Sequence, residues 1–261
     1  MVLKFLKTKY FLIIIFIVLF STGSAAATNQ ILITISGVMN KVIFDGKWTN
    51  TTEWKESSLD TLSYDDGTEI YLRTAHQDNF IYVLVDDVTG THFSKGSDRA
   101  IICFDLNNNK TTIPNTRDYC FVNVLDGKKS FVLQGGSSLA LNSYFEKIDN
   151  PEGFIGKSTI SDQNDRYSEI PHSSYEFRIP TQLVGRSDVY GFYLGVFDSH
   201  SNKVYSWPQD IISDPPLKIP NPSKWGEIIS PDKTLPEFHW SMFILFPAFL
   251  FVIFFTKLKY R

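Results

Sequence analysis

Between about residue 28 and residue 232 the chain breaks into short runs rich in β-branched and aromatic residues, with almost no helical periodicity. The runs are ILITIS, KVIFDG, TEIYLRTAHQ, NFIYVLVDDV, AIICFDLN, DYCFVNVL, SFVLQGG, YSEIPHSSYEFRIP and YGFYLGVFDSH. Turn-forming pairs separate them: Asp66-Gly67, Asp78-Asn79, Asp126-Gly127, Gly135-Gly136 and Asn150-Pro151. The stretch EIYLRTAHQDNFIYVLVDD outlines a hairpin. Its alternation sets Tyr71, Arg73 and Ala75 on one face and Ile70, Leu72 and Thr74 on the other. Only Thr181 to Val184 suggests a helical turn. Many short strands at regular spacing predict one all-β domain, a sandwich or barrel, over 28–232.

Hydrophobic ends flank this domain. Lys4, Lys7 and Lys9 precede an apolar run from Tyr10 to Phe20, and Ser24-Ala25-Ala26-Ala27 follows it. That order predicts a cleaved export signal over 1–27. At the other end no charge occurs from Trp240 to Phe255, and Lys257, Lys259 and Arg261 close the chain. This predicts a transmembrane helix over 241–256 with a basic cytoplasmic tail over 257–261. The domain is thus expected outside the cell, anchored to the plasma membrane. Within the 233–240 linker, Pro236-Glu237-Phe238 resembles the PEF-type C-terminal sorting signals of archaeal surface proteins.

Export bears on the two cysteines, since disulfides persist outside the cytosol. Cys103 and Cys120 lie in adjacent strand-like runs whose hairpin register sets them opposite each other. A Cys103–Cys120 bridge is expected, although opposed Cβ atoms at about 4.5–5.5 Å are slightly wide of the disulfide range of about 3.5–4.5 Å. Asn50-Thr51-Thr52 and Asn109-Lys110-Thr111 are sequons, which makes Asn50 and Asn109 expected glycosylation sites. A net charge of −3 with no basic stripe argues against nucleic acid as a partner. No nucleophile elbow, HExxH motif or phosphate loop occurs, so no enzymatic activity is expected.

Taken together, IFDGKWTNTTEW, LRTAHQDNFIYVLVDD, SDRAIICFDLNNN, DYCFVNV, YEFRIP and YGFYLGVFD resemble the family 9 carbohydrate-binding modules and their DOMON-like relatives. The likeness runs over most of Val42 to Asp198. It implies a two-sheet antiparallel β-sandwich with jelly-roll-like or Greek-key connections. It also implies glycan or polysaccharide as the partner, sometimes with calcium; a related branch binds haem in electron-transfer subunits. In the resemblance, Asp-Gly followed by Trp marks the start of the sandwich. Trp54 takes that position and is expected to be structural.

Sugar recognition needs flat apolar faces for the C–H side of a pyranose and polar groups around them. Tyr205 and Trp207, in HSNKVYSWPQD, are the expected stacking platform, with Trp48 as a further aromatic in a polar loop. Trp225 reads instead as packing on a closing strand. Asp105, Asn107 and Asn109 alternate in DLNNNK with Asp118 across the hairpin, an oxygen-rich set that suits calcium. Haem is disfavoured: Met39 precedes the family motifs, Met242 lies in the C-terminal apolar run, and His76, His92, His172 and His200 show no ligand spacing. The expected function is glycan recognition at the cell surface. The alternatives are a haem-bearing electron-transfer subunit and a structural surface protein contacting its neighbours.

Overall fold

A computed structural model of the chain describes residues 30–34, 39–125, 129–139, 143–216 and 218–230. The expected signal segment, PEF linker, transmembrane helix and basic tail lie outside the described residues. Among those described, no helix is long and apolar enough to cross a membrane.

The strands form two sheets. The larger runs β1 (Gln30–Leu32), β13 (Gly226–Ile229), β11 (Val189–Asp198), β5 (Arg99–Asp105), β6 (Asp118–Val124), β7 (Lys129–Gly135) and β8 (Phe145–Ile148). An eighth strand, β12 (Lys203–Trp207), pairs with Leu194–Asp198 of β11, beyond the stretch that pairs with β13. The smaller sheet runs β2 (Ser58–Ser63), β3 (Glu69–Gln77), β4 (Phe80–Asp87), β10 (Ser173–Pro180) and β9 (Ile155–Ile160). Strand pairing is antiparallel except between β1 and β13. A short α-helix among the described residues, α1 (Thr181–Val184), sits where the sequence suggests a helical turn.

Alternation along each strand builds the core between the sheets. Ile70, Leu72, Ile81, Val83, Val85, Tyr175 and Phe177 meet Ala100, Ile102, Phe104, Phe121, Phe192 and Leu194 from the larger sheet. Burying each large aliphatic or phenyl side chain contributes about 1.5–3 kcal/mol. The expected hairpin face is realised: Ile70 and Leu72 point into this core, while Arg73 and Ala75 lie on the outer side.

Both outer faces are also covered, which explains why AIICF is apolar without interruption. Ile101, Cys103, Cys120 and Val122 form a second cluster outside the larger sheet, roofed by Ile211, Ile219 and Trp225. Met39, Trp48 and Trp54 form a third outside the smaller sheet. The bridge between Cys103 and Cys120 is formed, the two residues being direct partners across β5 and β6 with Cα atoms 4.1 Å apart. That approach is short enough for the link that generic strand spacing left slightly wide.

Some expected strands differ. KVIFDG forms no strand; it is part of an irregular covering segment over 39–57. The run YSEIPHSSYEFRIP is strand only from Ser173, and β2 and β9 form without a single aromatic residue.

Candidate functional site

Tyr205 and Trp207 sit on β12, and the neighbouring chain packs over them. Trp207 is 7% exposed and its ring centroid lies 5.8 Å from that of Phe192. Tyr205, 9% exposed, meets Tyr64 edge-on at 5.1 Å and donates its hydroxyl to Asp66 Oδ2 at 3.1 Å. The Tyr64 hydroxyl donates in turn to the carbonyl of Ser206. These rings close the side of the sandwich where β12 faces the β2–β3 turn, and neither presents a free face for a sugar.

Trp48 lies in the irregular 39–57 segment over the smaller sheet and is also packed, at 3% exposure. The Arg73 guanidinium sits 5.0 Å from its ring centroid, and Tyr167 meets it edge-on at 5.7 Å. Trp54 is fully buried and donates its indole N–H to Glu176 Oε1 at 3.0 Å. Burial pushes the Glu176 carboxyl well above its usual range, and its Oε2 accepts the Gly46 N–H at 2.7 Å. Gly46 is indispensable there: its φ is +104°, and a Cβ would stand 2.5 Å from the Ser158 carbonyl carbon. The Asp-Gly…Trp motif thus fastens the 39–57 segment onto β10 and β9. As expected, Trp54 is structural, and it covers the outer face of the smaller sheet.

The calcium set is only partly assembled. Asp105 and Asp118 are buried and directly opposed, whereas Asn107 and Asn109 stay exposed on the loop. Asp105 already accepts the N–H groups of Asn107 (3.1 Å) and Lys110 (2.9 Å). Burial, with Asp105 adding to it, pushes Asp118 up to about 7. At neutral pH a proton can therefore relieve the pair. Asn50 is exposed in a turn, its Oδ1 accepting the Thr52 N–H and hydroxyl.

A second acidic cluster joins Asp86 of β4, Asp165 of the 161–172 loop and His172. Burial alone would lower the His172 imidazole, but the hydrogen bond and charge of Asp86 outweigh it and raise it to about 9.

An open groove lies on the outer face of the larger sheet. Its floor is Ile101, Val122, Phe131 and Leu133, and its far wall is formed by Pro215, Pro216 and Ile219. Arg99, Lys147, Lys218, Asp214 and Ser143 provide its polar groups. It encloses about 580 Å³ and continues past Ser143, Asp214, Lys218 and Ile219 into a second recess of about 290 Å³ beside Tyr144. Arg99 is held in place by an Nε hydrogen bond to the Ser97 carbonyl, 2.9 Å, and by the Phe197 ring. The Lys147 ammonium rests 5.2 Å from the Phe131 centroid. Sequence reading passed over Phe131. The signal was available in KSFVLQ, where Phe131 and Leu133 are apolar on the face opposite the core residue Val132.

No protein-family model and no curated protein matches the chain. Among solved structures, a family 9 carbohydrate-binding module from Caldicellulosiruptor kristjanssonii in complex with cellotriose aligns with a TM-score of 0.48 at 16% identity. That alignment covers 77% of this chain and 93% of the module. A family 9 module from the same organism in complex with glucose gives 0.43 at 17% identity, over 77% and 95%.

Proposed function

We propose that this chain is a non-catalytic carbohydrate-recognition domain displayed at the cell surface and held to the membrane by its C-terminal segment. The glycan lies in the groove between the β5–β8 face and the 211–221 segment. The observation that carries this reading is the groove's composition: a flat apolar floor ringed by Arg99, Lys147, Lys218 and Asp214. A pyranose offers the matching pattern, with C–H faces that shed water onto apolar surface and hydroxyls around the rim that need donors and acceptors. The volume of about 580 Å³ lies within the range of about 300–1,000 Å³ usual for small-ligand sites. Phe131 provides the stacking face, and the flexible Lys147 amine can swing from the ring to a sugar hydroxyl.

The resemblance of the sequence motifs to family 9 modules supports the same reading. The stacking residues, however, move from Tyr205, Trp207 and Trp48 to Phe131 and Tyr144, because the first three are packed.

A glycan array probed with the full chain tests this. The expected result is binding to a defined set of oligosaccharides, weakened about tenfold or more in Phe131→Ala, as loss of an aromatic contact of about 1.5 kcal/mol implies. Binding unchanged by Phe131→Ala, with the fold intact by circular dichroism, would place the site elsewhere.

A further inference from the structure

On the opposite side of the molecule, buried polar atoms converge without enough partners. His172 immediately precedes β10 and is fully buried. Its Nδ1 lies 2.8 Å from the Ile170 carbonyl and 2.9 Å from Ser161 Oγ. A carbonyl only accepts, so Nδ1 carries the proton, and Nε2 is directed at Asp86 Oδ1, 2.9 Å away. Something positive must stand between that nitrogen lone pair and the carboxylate.

A proton on Nε2 fills the place only in part. It serves Asp86 Oδ1 but does not reach Asp165 Oδ1, which lies 3.8 Å away and accepts the Tyr167 and Ser168 N–H groups instead. Asp86 Oδ2 and Asp165 Oδ2 are buried and have no hydrogen-bond partner among the described residues. Ser174, the direct cross-strand partner of Asp86, is likewise fully buried with its Oγ unpartnered. Leaving such buried oxygens unmatched is costly, most of all where they are charged. One ligand atom from each of Asp86, Asp165 and His172 falls within 4.8 Å of the others.

We infer that Asp86, Asp165 and His172 bind a zinc-class divalent ion, with Ser174 Oγ beside it. The mixed nitrogen and carboxylate donor set suits zinc or cobalt better than calcium, for which the imidazole would be idle. The Nδ1 contacts to Ile170 and Ser161 are the supporting bonds that fix a metal-ligating histidine in one tautomer. The ion would tie the 161–172 loop to β4. That loop carries Tyr167, whose ring packs on Tyr71 and Trp48 and whose hydroxyl accepts from Arg73.

Equilibrium dialysis of the full chain against Zn²⁺, Co²⁺ or Ca²⁺, followed by metal analysis, tests the site, with the Co²⁺ d–d spectrum as a direct report of coordination. The expected result is about one Zn²⁺ or Co²⁺ per chain. Asp165→Asn and His172→Gln should each weaken binding more than about 100-fold, and Ser161→Ala about 10- to 100-fold. Failure of the unmodified chain to retain Zn²⁺ or Co²⁺ would overturn the proposal whatever the variants do. So would uptake of Ca²⁺ alone, or a Co²⁺ spectrum unchanged in His172→Gln.

Discussion

At the scale of single residues, the aromatic side chains divide by what covers them. Trp207 meets Phe192 in the main core, so its loss should act on stability before binding. Trp207→Ala is expected to lower the unfolding free energy by about 3–5 kcal/mol, read by urea denaturation. A change below about 1 kcal/mol would mean that the ring is not packed as described. That Trp54 packs was legible through the resemblance, in which Trp follows an Asp-Gly pair, here Asp45-Gly46, eight and nine residues before it. The sequence did not disclose the same for Trp207. KVYSW is short and flanked by polar residues, and the residues that cover Tyr205, Tyr64 and Asp66, lie some 140 positions earlier.

At the scale of elements, the β5–β6 hairpin was largely legible. The hairpin register set Cys103 against Cys120, export favoured their pairing, and the bridge stands there. Less legible was the environment of Asp105 and Asp118, which the same register brings face to face and buries. Asp118 is pushed up to about 7 from an ordinary value of 3.8, so its folded form holds a proton that the unfolded form releases near pH 4. Its stabilisation is fully present below that lower value and is lost as pH rises through about 7. Asp87, raised to about 7 by burial and then by Asp198, acts in the same direction. With a chelator present, the melting temperature should therefore fall between pH 5 and pH 8. Asp118→Asn, which keeps a neutral group at all pH values, should flatten that fall. A melting temperature that rises over this range would contradict the assignment.

At the scale of the whole molecule, the sandwich is clad on both sides: the 39–57 and 161–172 segments lie over the smaller sheet, and the 208–225 segment lies over part of the larger one. The all-β character follows from strand periodicity and the two-sheet arrangement from the family resemblance, but the cladding follows from neither, because its apolar residues are scattered among prolines and polar residues. For the same reason the groove could not be read from the sequence: β5 to β8 form its floor, and a segment some 70–115 positions later forms its wall. Hydrogen–deuterium exchange on the full chain, with and without a saturating oligosaccharide, tests the central claim most directly. Protection confined to 129–135, 145–148 and 211–221 is the predicted result. Protection centred on 45–54 or 203–207, or none at all, would contradict it.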